Sequence, residues 1–250
     1  MFFLWIFAPT IAGRCLCKQS YKKCDRTVSQ VKLKVLICAA TPLELRGWIP
    51  DAVDVSRPVA VEFAGLEHVD ISLMAMGVGV APTVMRLTQY AARFDLVLNV
   101  GLAGAYSSEL AIGQVVRVAS DVFADYGIDQ RGTFVPIHQS PMAAYAPQPM
   151  ECPSPIPSPL PVVRAITLGM CSGSNELIER NIAQWNPDIE TMEGAAVPFV
   201  CQQLGVQFVC LRAISNRVEP RNMAAWNIDL ALSNLHRETV GLLAELNQPL

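Results

Sequence analysis

The chain has 250 residues, 52% of them hydrophobic and only 16% charged, with a net charge of −3. That length suits one α/β domain with a sizeable core, and so low a charged share predicts extensive burial and contacts between subunits, hence a homo-oligomer of at least two copies. The 19 basic residues form no stripe that would suit nucleic acid, and the eight cysteines and three histidines show no metal-ligand or disulfide spacing, which fits a reducing cytoplasm.

The first 13 residues are mostly apolar and are followed by Lys18, Lys22, Lys23 and Arg26. The stretch is too short to span a bilayer and lacks the positive front end of a secretory signal, so no membrane partner is expected. Residues 1–30 are read as an N-terminal extension translated from an upstream start, with an unusual signal or anchor and a cap on the fold as the alternatives, and 31–250 as the domain. From Lys32 the pattern turns regular. Residues 33–40 form a near-continuous apolar run, the mark of a strand covered on both faces, and similar runs recur at 69–76, 96–100, 114–119, 162–168 and 207–214. Helical spacing appears at 81–92, 174–185, 195–204 and 226–246. Strands alternating with helices predict a single α/β domain with a mostly parallel, twisted central sheet flanked by helices on both faces. Residues 136–161 are dense in proline and without periodicity, which predicts a long irregular surface loop.

Several short segments carry chemistry. Pro42 opens a helical turn after the first strand, and Glu44 within it is either an acid favoured by the helix dipole or a general base over a cleft. Gly77-Val78-Gly79 follows a strand and opens a helix, where backbone N–H groups can hold an oxygen-rich ligand; Pro82 at the third glycine position rules out a dinucleotide fingerprint. Asn99-Val100-Gly101-Leu102-Ala103-Gly104 reads as a second turn after a strand, with Ala103 and Gly104 small enough to admit a flat ligand. Glu193 lies between Met192 and Gly194-Ala195-Ala196, a costly place for an unpaired charge, which sugar hydroxyls or a capping role would satisfy. Glu193 and Asn216 are expected just outside the ends of packed elements. His68, His138 and His236 are scattered and are read as surface residues.

These pieces, taken in order with Glu190-Thr191-Met192-Glu193-Gly194-Ala195-Ala196 and Arg212-Ala213-Ile214-Ser215-Asn216, resemble the nucleoside phosphorylase and nucleosidase superfamily, in its methylthioadenosine/S-adenosylhomocysteine nucleosidase branch. The run from Ile214 to Arg221 with Trp226-Asn227-Ile228 looks most like the futalosine hydrolases of that branch. The resemblance implies hydrolysis of the N-glycosidic bond of futalosine, releasing hypoxanthine and dehypoxanthine futalosine in menaquinone biosynthesis, with no cofactor and no metal. It assigns Glu44 to the attacking water, Met192 and Glu193 to the ribose, and Asn216 to the base, with Gly79, Ala103 and Gly104 also at the substrate. Adenine-specific relatives carry an aspartate at the position of Asn216; a carboxamide suits a 6-oxopurine instead. Asn99 stands where phosphorylases of this superfamily hold phosphate with an arginine, which favours water as the nucleophile. Arg131, Arg217 and Arg221 are open alternatives for a carboxylate at the 5′ end of the substrate, and residues 121–127 are expected to line that end. An adenine-releasing nucleosidase, a purine nucleoside phosphorylase and a nucleoside-binding protein without turnover remain the competing readings.

Overall fold

The computed structural model describes residues 32–50 and 53–247; the N-terminal extension, residues 1–30, lies outside them. Its strands are β1 (Leu33–Ala39), β2 (Val59–Val61), β3 (Val69–Ala75), β4 (Leu96–Ala105), β5 (Val115–Asp121), β6 (Gly127–Gln130), β7 (Thr133–Pro136), β8 (Met150–Glu151), β9 (Val162–Thr167), β10 (Ile189–Thr191) and β11 (Gln207–Arg217). The α-helices are α1 (Val80–Tyr90), α2 (Asn175–Trp185), α3 (Ala196–Leu204) and α4 (Ile228–Leu246). Among the described residues no helix is long and apolar enough to cross a membrane.

Nine strands form one mixed, mostly parallel sheet in the order β10-β9-β5-β11-β4-β1-β3-β2, with β8 beside β5; β6 and β7 make a separate hairpin. The alternation of side chains along β1 shows why its apolar run is unbroken. Leu36 and Cys38 belong to a core with Leu87 and Ala91 near α1 and Val197 and Cys201 of α3. Val35, Ile37 and Ala39 point the other way, into a core with Ala231, Leu235, Leu242 and Leu243 of α4. Helices therefore cover both faces, as the pattern predicts.

The sheet is also more closed than an alternating pattern predicts. β10 pairs in parallel with β9 and antiparallel with the far end of β4, through Ile189↔Ala105 and Glu190↔Gly104. Strands β4, β11, β5, β9 and β10 thus form a ring, and β1, β3 and β2 extend from one side of it. The helix ends follow local chemistry. Ser174 and Asn227 cap α2 and α4 by accepting from the N–H groups of Leu177 and Leu230, and Gly205 ends α3 in the left-handed region. The proline-dense segment is largely irregular as expected, apart from β8 and two short 3-10 turns.

Two expected boundaries are wrong in a way that matters. β4 runs through Gly101-Leu102-Ala103-Gly104 instead of turning there, because β11 and β10 pair with those residues on either side. β11 likewise continues to Arg217, so Asn216 sits inside a strand and not beyond its end.

Candidate active site

A cavity of about 310 Å³ opens beyond the carboxyl ends of β1, β4 and β11, where open α/β sheets place their ligands. Glu44, Ala103, Gly104, Met192, Glu193 and Asn216 all line it. Residues from opposite ends of the chain therefore share one wall.

Glu44 lies in a single 3-10 turn, Pro42–Leu45, started by the proline. Its Oε2 accepts from the Thr41 N–H at 2.9 Å and the Thr41 hydroxyl at 3.0 Å, a capping box closed over one turn. Its Oε1 accepts from the Leu102 N–H at 3.2 Å, which pins the carboxylate over β4. That close approach requires Gly101, since a Cβ there would stand 3.1 Å from Glu44 Oε1.

Gly79, at φ +91°, is the N-cap of α1, and its N–H donates to Glu193 Oε1 at 2.6 Å. The first glycine turn therefore holds the glutamate that faces the cavity. Burial pushes the Glu193 carboxyl above the ordinary carboxylate range and the charge of Glu44 adds to this, opposed by the Gly79 N–H and the Arg212 guanidinium. Two carboxylates thus stand near each other at one end of the cavity.

The loop carrying Met192 and Glu193 is fixed from below. Thr191 Oγ1 accepts from the Gly194 N–H at 3.1 Å, and Thr167 Oγ1 accepts from the Ala195 N–H at 2.8 Å while donating to Asp121 Oδ1 at 3.0 Å. Asp121 is 2% exposed and lies beneath the loop. Residues 121–127 do not line the cavity, contrary to expectation: Asp121 faces inward and Asp125 accepts from the Gly169 N–H at 2.6 Å. Burial raises the Asp121 carboxyl from its ordinary 3.8 to about 7, against Arg212 and the hydrogen bonds from Thr167 and Val122. A carboxyl whose folded value is raised stabilises fully below its unfolded value, and that stability is lost as pH rises through the folded one. Asp121→Asn should therefore gain stability relative to the parent between pH 4 and 7, by on the order of 3 kcal/mol. Thermal melts of both proteins across that window check it; a constant difference in Tm would contradict the assignment.

Asn216 reaches the cavity through a break in register. β11 pairs Ile214↔Ala103 and then Asn216↔Gly104, leaving Ser215 as the extra residue of a bulge. Asn216 Oδ1 accepts from the Ser215 hydroxyl at 2.8 Å and Nδ2 donates to the Arg217 carbonyl at 2.8 Å, so the orientation of the amide is set and one N–H is left over.

Arg212 opens the Arg212–Asn216 run and lies in β11. It is 3% exposed, and its guanidinium donates to Asn99 Oδ1 at 2.5 Å, to the Asn99 carbonyl and to the Leu211 carbonyl. An arginine thus does reach Asn99, though it arrives from another strand, does not line the cavity and is engaged by these neutral acceptors. The three arginines left open for an anion also separate. Arg131 lies in the β6–β7 hairpin and does not line the cavity, whereas Arg217 lines it and donates to the carbonyls of Ser107 and Ser108. Arg221 also lines the cavity and donates to Met223 Sδ at 3.6 Å.

The histidines are half-buried, not surface residues. His236 packs on Trp48 at 4.5 Å and His138 on Trp185 at 5.5 Å between ring centroids, and none of the three lines the cavity. Among the described residues no cluster of His, Cys, Asp or Glu could hold a metal, and the cysteines are free.

The model of the Phosphorylase superfamily matches residues 53–244. A futalosine hydrolase of Thermus thermophilus is 33% identical over 193 residues, covering 72% of this chain and 84% of that protein. A 5′-methylthioadenosine/S-adenosylhomocysteine nucleosidase of Shewanella halifaxensis is 28% identical, covering 64% and 77%. Among solved structures, the corresponding nucleosidase of Colwellia psychrerythraea in complex with adenine superposes with a TM-score of 0.68 at 19% identity, over 88% of this chain and 98% of that one. The chain belongs to the phosphorylase superfamily, and within it to the enzymes that hydrolyse N-glycosyl compounds.

Proposed function

We propose that this enzyme hydrolyses the N-glycosidic bond of futalosine, releasing hypoxanthine and dehypoxanthine futalosine. The observation that carries the reading is Asn216: a carboxamide beside Gly104, oriented with a spare N–H, in a cavity whose other end holds Glu44 and Glu193. A spare N–H suits the O6 acceptor of hypoxanthine and not the 6-amino group of adenine, while N7 accepts in both bases.

In this mechanism Glu44, with its inner lone pairs taken by Thr41 and Leu102, accepts the proton of a water that attacks the anomeric carbon. The bond from carbon to purine nitrogen breaks through an oxocarbenium-like sugar, and its electrons pass to the base. Asn216 donates to N7 or O6 as that charge develops, and solvent supplies the proton. Glu193 accepts from the ribose hydroxyls and Met192 packs against the sugar. Two carboxylates at the nucleophile end would repel a phosphate dianion, and Arg212 is already engaged, which supports water as the nucleophile. Arg221, which lines the cavity and has no ion pair among the described residues, is suited to the carboxylate at the 5′ end. Leu43 and Val78 line the cavity yet stay exposed, which supports a second subunit covering that rim in a homodimer.

The test is turnover of futalosine with and without phosphate, identifying the sugar product. The reading expects the free sugar at an unchanged rate; a sugar 1-phosphate, or dependence on phosphate, would overturn it. The same reading predicts a severe effect at Gly194. A Cβ there would stand 2.3 Å from Asp121 Oδ2 and 2.7 Å from Thr191 Oγ1, on buried side chains held by hydrogen bonds at Asp121 Oδ1 and Thr191 Oγ1, so the loop itself must move. Gly194→Ala should lose about 1–3 kcal/mol of stability and, by displacing Glu193, lower kcat/KM by roughly a hundredfold. Melting and steady-state kinetics together check both effects.

A further inference from the structure

Thr41 lines the cavity beside Glu44, and its hydrogen bonds fix what it can offer a ligand. Its hydroxyl proton goes to Glu44 Oε2 at 3.0 Å, so toward any other group the hydroxyl can only accept. In an ordinary N-cap that oxygen is used up on the amides of the first turn. Here the Glu44 N–H meets the Thr41 carbonyl at 3.2 Å, the bond of a one-turn 3-10 helix, and takes up at most one lone pair of the hydroxyl. A second lone pair is left, on a half-buried residue in the cavity wall.

Glu44 has one open site of the same kind. Its Oε2 accepts from both Thr41 donors, whereas Oε1 accepts from the Leu102 N–H alone. The carboxylate and the hydroxyl therefore present two neighbouring acceptors. Other polar groups do not take them up among the described residues: Leu102 brings only its N–H, Arg212 does not line the cavity, and Glu193 is committed to the ribose in the reading above. Water is the one reactant that carries two protons on a single oxygen.

We propose that Thr41 is a catalytic residue whose hydroxyl oxygen accepts one proton of the attacking water while Glu44 Oε1 accepts the other, which turns a lone pair of the water toward the anomeric carbon. The inference rests on the reading of Glu44 as the base and extends it. A water held by a single acceptor still rotates about that bond, and the second acceptor removes the rotation. In the step itself the water oxygen bonds to the anomeric carbon and the proton facing Glu44 passes to the carboxylate. The proton facing Thr41 stays on the new sugar hydroxyl. The electrons of the broken carbon–nitrogen bond leave with the base, which takes its proton from solvent.

Methanol tests the arrangement because it has one O–H. It can satisfy Glu44, but its methyl group then stands against the Thr41 lone pair, so the parent should discriminate against it. The experiment is turnover of futalosine in dilute methanol by the parent, Thr41→Val and Thr41→Ser, with the methyl glycoside and the free sugar quantified. Valine matches threonine in shape and keeps the backbone N–H on Glu44 Oε2, so Glu44 stays held there and at Leu102. Thr41→Val should lower kcat about tenfold with KM within about twofold, and raise the ratio of methyl glycoside to sugar about fivefold or more. Thr41→Ser should return both to parent values. If the ratio is unchanged in the valine variant, whatever its rate, Thr41 acts only by holding Glu44 and the inference fails alone. If Glu44→Gln keeps full activity, the reading of Glu44 fails and takes the inference with it. Should the parent not turn over futalosine, the ratio is measured on methylthioadenosine, where the same rise is expected and an unchanged ratio overturns the inference.

Discussion

Glu44→Gln should lower kcat by about a thousandfold while leaving ligand binding within a few-fold of the parent, because it removes a base and little else. The side chain is held by the Thr41 N–H and hydroxyl at one oxygen and by the Leu102 N–H at the other. Glutamine can keep its carbonyl oxygen on the two Thr41 donors and turn its amide nitrogen toward Leu102, giving up the longer contact at 3.2 Å. That mismatch costs about 1–2 kcal/mol and should not unfold the protein. The loss of basicity is a different matter, since an amide cannot take a proton from water at neutral pH. Calorimetry of hypoxanthine binding beside single-turnover kinetics separates the two effects, and full activity in the variant would remove Glu44 from the mechanism.

The second large effect is expected at the base. Asn216→Asp should reduce kcat/KM for a hypoxanthine-releasing substrate by a factor of roughly 10²–10⁴ and narrow the gap to the 6-amino substrate. Asn216 Nδ2 now donates to the Arg217 carbonyl at 2.8 Å, and a carboxylate oxygen in its place would face that carbonyl with no proton between them. The variant must either protonate or turn away, and in both cases the N–H directed at O6 or N7 is lost. Competition between the two substrates in one assay measures the change directly. An unchanged preference would mean that the base is read elsewhere in the cavity.

The order of strands and helices is legible in the chain because long apolar runs such as those of β1 and β11 have to be covered on both faces. Ring closure is not, since β10 is only three residues long and its pairing with β4 joins segments remote in sequence. The small residues Gly101 to Gly104 look like a turn for the same reason that they make a good floor: without large side chains they report backbone access, and only the neighbouring strands show that the backbone there is extended. The bulge at Ser215 sets the register of Asn216, yet no residue in the run announces it. The burial of Arg212 and Asp121 is not legible in the chain either. Each is a charged residue that the chain buries beneath the site loops, where Arg212 acts on Glu193 and Asp121 supports the Gly194 turn.

The most direct test of the central claim is base release from futalosine, aminodeoxyfutalosine, inosine and methylthioadenosine, with each product resolved by HPLC. A cavity with Asn216 at the base and Arg221 at the far end predicts hypoxanthine from futalosine as the dominant product, with inosine slower for want of a 5′ carboxylate and the two 6-amino substrates slower still. Faster release of adenine than of hypoxanthine would contradict it.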